Sequence, residues 1–387
     1  MLVSDKRTED PTVSGLKRYG LSRARLCEWR ESRNGRRIAA NPYILFSPAD
    51  YVQFDASRHP DVQTADVVSL YWINGGFISP ETLGRIDKPL IWRLSDAWPF
   101  TGGCHYPGTC INFEQACGQC PQLCQPSIDD VSHQLWLRKR SVWRKLDLTI
   151  TTPSHWMADL ARRSSLFADH RIEVIPTGVD LDCYYPGDRQ ESKARWGLPQ
   201  DRLLILFGAL GINNDLRKGY RELRIALEII ACSPLAPQVL AVVFGSDSPM
   251  LADLPVAAVS LGRLRSDEVL AAAYNCADVV VVPSLEDNLP NVALEAVACG
   301  APVAAFNVGG MSDIVLDDWN GRLAPPGKPE YLGQALVEML MNGDKLQAMR
   351  LNARLHAQKH FSLTTQAEAY IRLYKKIVSR RSNQGNL

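Results

Sequence analysis

Residues 277–321 read ADVVVVPSLEDNLPNVALEAVACGAPVAAFNVGGMSDIVLDDWNG. The bare valine run Val279–Val282 ends at Pro283 and Ser284. β-Branched residues in an unbroken run, stopped by proline, suit a strand buried on both faces. Two acids follow, Glu286 and Asp287, and then Asn288, Leu289, Pro290 and Asn291 lead into an apolar-patterned helix carrying Glu295. That helix stops at Cys299-Gly300, and a second short strand, 302–306, runs into Asn307, Gly309 and Gly310. Strand, acidic loop, helix, strand and glycine loop make a crossover unit that feeds a parallel sheet. Ligands of such sheets bind beyond the carboxyl ends of the strands, where both loops sit. A helix N-terminus there offers unpaired N–H groups to a phosphate, and carboxylates accept from sugar hydroxyls. The combination points to a phosphate joined to a sugar. Solvated acids on an ordinary βαβ unit are the plainer alternative.

The segment resembles the donor-site signature of the retaining GT-B glycosyltransferases of family 4, in which two spaced acids hold a nucleotide-sugar. Asp287 and Glu295, separated by seven residues, fit that spacing, and Glu286 stands one residue earlier. The family's first acid is usually Glu, so either member of the adjacent pair could orient the donor sugar, with Glu295 on the ribose. The resemblance covers nearly the whole chain from residue 1. It implies an α/β GT-B fold, two Rossmann-like doubly wound domains facing across a cleft. Residues 1–180 would form the acceptor-side domain, 181–360 the nucleotide-sugar domain, and 361–387 a helix crossing back to the first domain. The linker PTGVDLDCYYP, 176–186, is similar to the family's interdomain segment, with Thr177 where Asn is usual. The implied reaction is transfer of a sugar from a nucleotide-diphosphate-sugar to a glycan or lipid-linked acceptor, with retention, in bacterial cell-surface polysaccharide synthesis. The leaving phosphate would accept the acceptor's proton, so no separate base is required.

Two further runs carry the resemblance. The loop FGALGINNDLRKG, 207–219, is similar to the family's Gly-Arg-…-Lys-Gly loop, whose Arg and Lys grip the donor diphosphate. Gly211 and Lys218-Gly219 fit. Asn213 occupies the distal Arg position, which makes Arg217 the candidate replacement. Fixed positive charge is what phosphate recognition needs. The run IWRLSDAWPFTGGCHY, 91–106, resembles a subgroup motif that has His where this chain has Ser95. Asp96 and His105 are candidate contacts to acceptor or transferred sugar, or else structural. Asn74-Gly75-Gly76 is a second acceptor-side loop, or a turn. No Asp-x-Asp pair falls in a fitting loop, so no obligatory divalent cation is expected.

Five of the ten cysteines, Cys104, Cys110, Cys117, Cys120 and Cys124, lie within residues 104–124. Cys104, Cys110, Cys117 and Cys120 could hold a structural zinc tetrahedrally; free thiols in a packed loop are the alternative. The formal charge is +1, which excludes a basic nucleic-acid footprint. Local clusters such as Arg138-Lys139-Arg140 and Arg380-Arg381 could touch an anionic membrane peripherally at its inner face, or be solvated helix faces. No apolar run approaches the ~18 residues of a membrane span. The amino end MLVSDKRTED lacks a signal-peptide shape, and a cytoplasmic location is expected.

Strands are expected at 43–46, 66–72, 89–94, 148–152, 172–175, 203–207, 239–244, 278–282 and 302–306. Helices are expected at 129–145, 330–341, 345–360 and 364–378. By the resemblance, residues 1–12 correspond to the family's second strand and the loop beyond it. The first strand and its glycine loop are then lacking, through a shortened gene or a misplaced start. That departure, with Ser95 and Asn213, keeps a non-catalytic nucleotide-sugar-binding or partner subunit open as an alternative function. A sugar-nucleotide epimerase on the same fold is another.

Overall fold

The structure, a computed structural model, describes residues 1–3, 8–15, 21–41, 43–51, 54–208, 215–245 and 253–384. The chain divides into two units, Met1–Pro153, Met157–Val174 and Arg372–Leu387 in one, Ser154–Trp156 and Ile175–Ile371 in the other.

In the first unit β1 (Leu2–Val3) and β2 (Ser14–Gly15) form a separate parallel pair. Then come α1 (Leu21–Ile38), α2 (Pro60–Thr64), β3 (Val68–Leu70), α3 (Pro80–Leu83), β4 (Leu90–Arg93), α4 (Val131–Trp143), β5 (Leu148–Thr152), α5 (His155–Arg163) and β6 (Arg171–Val174). Strands β3-β4-β5-β6 lie side by side in that order, all parallel. Asp130 starts α4 by accepting the N–H groups of Ser132 and His133, a side-chain cap that satisfies otherwise orphaned donors. Trp143 of α4 packs edge-on against Trp92 of β4, with centroids 5.3 Å apart. The aromatics of this helix are core, as their helical spacing suggests. Residues 43–46 do not form the expected strand. Phe46 makes an isolated antiparallel bridge with Cys104. Ser47 N–H donates to Gly103 O, and His105 N–H to Leu45 O. The segment bonds to Asn41 at its start, through Tyr43 and Ile44 N–H, and to the 102–106 loop at its end, not to the sheet.

The second unit contains α6 (Arg189–Arg195), β7 (Leu203–Gly208), α7 (Tyr220–Ala231), β8 (Val239–Phe244), β9 (Ala258–Ser260), α8 (Asp267–Cys276), β10 (Val279–Val282), α9 (Asn291–Ala298), β11 (Val303–Phe306), α10 (Met311–Ile314), β12 (Gly321–Ala324), α11 (Pro329–Met341) and α12 (Gly343–His360). The last helix, α13 (Leu363–Gln384), begins here, and its residues from Arg372 count with the first unit. The sheet is parallel throughout, in the order β12-β11-β10-β7-β8-β9. Both faces are buried, which is why its strands read as continuous apolar runs. Val280 and Val282 pack with Leu294 and Val297 of α9, whereas Val279 and Val281 pack with Leu223 of α7 and Leu336 of α11. Burial of each valine contributes roughly 1.5–3 kcal/mol. Among the described residues no helix is long and apolar enough to cross a membrane.

Strand order reverses between β7 and β10, and a topological switch point of this kind places the ligand crevice at the strands' carboxyl ends. At the opposite ends, Asp278 clamps the same two strands. It is 2% exposed, accepts Leu204 N–H at 2.8 Å and pairs with Arg189. Asp278→Ala leaves the buried Leu204 N–H without its acceptor and the half-exposed Arg189 without its partner, and should cost about 1–3 kcal/mol. Urea denaturation checks this: the midpoint should fall with the m-value unchanged.

Candidate functional site

Three loops leave the carboxyl ends of β7, β10 and β11, and main-chain bonds join them. Leu285 N–H, in the acidic loop, donates to Arg217 O at 2.7 Å, and Gly310 N–H donates to Asn288 O at 2.8 Å. Two glycines permit this closeness. Gly219 has φ 67°, and a Cβ there would lie 1.9 Å from Pro283 O. Gly309 has φ 57°, and its Cβ would lie 1.7 Å from Asp287 O. Only glycine meets both demands without strain.

The loops surround a cavity of about 570 Å³ lined by Gly208, Lys218, Phe244, Asp287, Asn291 and Glu295, among others. That volume lies within the roughly 300–1,000 Å³ usual for small-molecule sites. Lys218 Nζ and Asp287 Oδ2 are 2.9 Å apart, an ion pair inside the site. Glu295, from the second turn of α9, accepts the Tyr274 hydroxyl at 2.8 Å. Burial pushes its carboxyl up to about 7, outweighing the Tyr274 hydrogen bond, which acts downward, with Asp267 adding a small upward push. Burial and the neighbouring Glu295 raise the Tyr274 hydroxyl well above its ordinary value. A carboxyl this close to neutrality beside a sugar-sized hollow can hold hydroxyls as donor or acceptor.

The structure thus gathers Lys218, Asp287, Pro290, Asn291 and Glu295 around one cavity. Asn288 and Leu289 are buried and do not line it; the Asn288 carbonyl accepts the Gly310 N–H and its side-chain oxygen the Ser154 hydroxyl. Glu286 is half-buried and does not line the cavity, so Asp287 is the member of the pair that faces it. Arg217 departs from expectation. Its guanidinium turns back to its own loop and pairs at 2.6 Å with Asp215, whose carboxylate also caps the short turn Leu216–Lys218 by accepting Arg217 N–H. Two cations that the sequence reading missed line the cavity instead, Arg263 and Arg265, on the loop between β9 and α8. The signal was a short apolar stretch, 258–260, ending in Gly262 with two arginines before a Ser-capped helix. Gly211, also expected at the site, lies outside the described residues.

The remaining candidates lie in the first unit. His105 is fully buried and both ring nitrogens are engaged, Nδ1 with Asp96 Oδ2 at 2.6 Å and Nε2 with the Ser47 hydroxyl at 2.8 Å. Asp96 also accepts Trp98 N–H at 2.9 Å. Asp96 and His105 thereby tie the 96–105 loop to Ser47. Asn74 is buried in the loop after β3. Cys104, Cys110, Cys117 and Cys120 are free thiols. Burial pushes Cys117 up to about 12 and Cys120 up to about 11, and raises Cys104 as well. Among the described residues no group of three or more His, Cys, Asp or Glu side chains is arranged to hold a metal ion. The basic cluster 138–140 is consumed internally. Arg138 pairs with Glu81 at 2.9 Å, and Lys139 is fully buried, 3.5 Å over the Trp98 ring, donating to Thr101 O at 2.9 Å.

Residues 202–342 match the family model described as Glycosyl transferases group 1. The chain is similar to the D-inositol 3-phosphate glycosyltransferase of Rhodococcus erythropolis, 27% identical over 372 residues, which is 90% of this chain and 78% of the relative. Among solved structures it resembles sucrose-phosphate synthase of Thermosynechococcus elongatus, with TM-score 0.64 and 21% identity over 81% of this chain and 74% of that one. It also resembles Anabaena HepE in complex with UDP, with TM-score 0.59 and 18% identity over 81% and 80%. The fold class is GT-B, two α/β units each built on a parallel sheet.

Two predictions follow from the loop geometry. Gly309→Ala forces a Cβ against Asp287 O in a left-handed backbone; it should cost about 1–3 kcal/mol, read as a lowered urea midpoint. For Glu295, a folded pKa raised from 4.5 to about 7 means stability that is full below pH 4.5 and lost as pH climbs through 7. Glu295→Gln removes that loss. Relative to wild type it should be unchanged near pH 5 and stabilised at pH 8 by on the order of 1–2 kcal/mol, discounted for partial exposure. Equal differences at the two pH values would contradict the assignment.

Proposed function

We propose that the chain, a glycosyltransferase, moves a sugar from a nucleoside-diphosphate sugar to a glycan or lipid-linked acceptor in cell-surface polysaccharide synthesis, with retention at the anomeric carbon. The observation that carries the donor half is the cavity in which Lys218, Asp287 and Glu295 converge at the switch point. Glu295 holds the ribose hydroxyls and Asp287 orients the donor sugar. Lys218, with Arg263 and Arg265 lining the same cavity, offsets the charge that grows on the diphosphate as it departs. Preorganised cations of this kind contribute several kcal/mol to a transition state. In the step itself the bond from the anomeric carbon to phosphate oxygen breaks, and a bond to the acceptor oxygen forms on the same face. The acceptor's proton passes to the departing phosphate oxygen, so the protein supplies no base.

Uracil is the first donor base to test, because HepE was solved with UDP and with UDP-glucose. The relatives' names favour a second acceptor class. D-inositol 3-phosphate glycosyltransferases act on a small phosphorylated cyclitol, and a phosphate-bearing acceptor deserves a parallel assay. For a lipid-linked acceptor at the inner membrane face, the exposed Arg144, Lys145 and Arg380 would favour peripheral contact with an anionic surface, at roughly 1 kcal/mol per basic residue.

Calorimetry with UDP and a panel of UDP-sugars tests the donor site. Lys218→Ala should lower kcat by about 10²–10³ while UDP affinity falls less, and Glu295→Ala should weaken UDP at least tenfold. Donor binding without any turnover, across acceptors, would favour the non-catalytic subunit. Conversion of one UDP-sugar into another without acceptor would favour the epimerase.

A further inference from the structure

Ser284 carries a hydroxyl that the fold does not use. It follows β10 and Pro283, is 3% exposed and lines the cavity at the switch point. A buried polar group ordinarily has a hydrogen-bond partner, and an exception calls for a reason. Among the described residues the other buried serines, Ser47, Ser132, Ser154, Ser164 and Ser192, all comply, with side-chain bonds of 2.6–2.8 Å. The Ser284 hydroxyl has no partner among the described residues. Enclosed polar atoms without partners occur at His170, Arg171, Arg189 and Trp196, and Ser284 is not one of them. Its oxygen is therefore open to the cavity.

Two main-chain contacts fix what stands opposite it. Leu285 N–H donates to Arg217 O at 2.7 Å, and a Cβ on Gly219 would lie 1.9 Å from Pro283 O. Residue 285 thus faces 217, and 283 faces 219, an antiparallel register that leaves Ser284 opposite Lys218. Residues opposite each other in such a register share a face, and both of these line the cavity. The main-chain N–H groups of Lys218 and Gly219 are taken by Asp215 O and Leu216 O within their own turn. What this turn brings to the cavity is the Lys218 ammonium, and Ser284 adds a hydroxyl whose O–H is free to rotate toward a ligand.

We infer that Ser284 is a further substrate-binding residue, its hydroxyl donating to an oxygen of the donor diphosphate beside the Lys218 ammonium. This role presupposes the nucleoside-diphosphate donor proposed above and adds a residue to its site. A phosphate oxygen is the acceptor the register favours, because Ser284 is paired with the cavity's lysine. The ribose hydroxyls have their acceptor in Glu295, which stands eleven positions further on, in α9. A hydroxyl on a charged oxygen makes a short, charge-assisted bond, about twice as strong as a neutral one. Being neutral itself, Ser284 adds to the grip on phosphate without competing for Asp287, the partner of Lys218 at 2.9 Å.

Calorimetry of the full chain, as wild type, Ser284→Ala and Ser284→Cys, with UDP, GDP, ADP and dTDP provides the test. Cysteine keeps the side chain's size and is a weak donor. A nucleoside diphosphate that binds wild type should bind both variants about tenfold more weakly. Urea midpoints should be unchanged or raised, because the hydroxyl has no partner in the protein to lose. The tenfold ratio should persist with the 2′,3′-dideoxy form of the same nucleotide, which has no ribose hydroxyls. Equal affinity of wild type and Ser284→Ala would overturn the inference and leave the donor site standing. A ratio that vanishes with the dideoxy nucleotide would assign Ser284 to the ribose, and midpoints lowered in both variants would make it structural; either result overturns it. Failure of all four nucleotides to bind wild type would remove the proposed donor, and this role with it.

Discussion

The candidate site depends on how closely three strand-end loops approach one another. Side-chain chemistry at the switch point works only if Lys218, Asp287 and Glu295 share one hollow. They share it because Leu285 bonds to Arg217 O and Gly310 to Asn288 O. These are main-chain bonds, so nearly any side chains could decorate them, but the backbone path requires glycine at 219 and 309. Below the loops, β7 and β10 are held in register by valine burial on both faces and by Asp278 at the far end. The sheet fixes where the strands end, the glycines fix how near the loops come, and the functional groups follow.

Much of the second unit was legible because its physics is local. A parallel strand buried on both faces must be a bare apolar run, and the strand limits at 239–244 and 278–282 fell within a residue of those observed. The convergence of Lys218, Asp287 and Glu295 was legible through spacing on one crossover unit and one further loop. What escaped was decided by single contacts. Arg217 follows Asp215 by two residues and folds back on it, a choice no pattern announces. Arg263 and Arg265 sit after β9, an edge strand of three half-buried residues, too short for alternation to register. Strand β12, Gly321–Ala324, includes an arginine and a glycine and was missed for the same reason.

The first unit was less readable because its loops take over hydrogen bonds that regular sheets would claim. Residues 43–46 look like a strand, yet their partners are Asn41 and the 102–106 loop. That loop is itself held by a fully engaged His105, by Gly102 N–H on Cys117 Sγ at 3.1 Å, and by the buried amine of Lys139. Sequence alone placed Asp96, His105 and the cysteines near each other. It could not distinguish groups aimed at a ligand from groups aimed at one another.

The ion pair between Lys218 and Asp287 has a bearing on selectivity. The Lys218 charge is already answered inside the chain, so the standing positive field of the hollow comes from Arg263 and Arg265, and an anion gains little at Lys218 itself. An intruding orthophosphate would have to take the ammonium from its carboxylate and leave that carboxylate without compensation. A guest carrying both a phosphate and a hydroxylated ring supplies a new partner to each, so the pair acts as a latch that opens only to a bifunctional key.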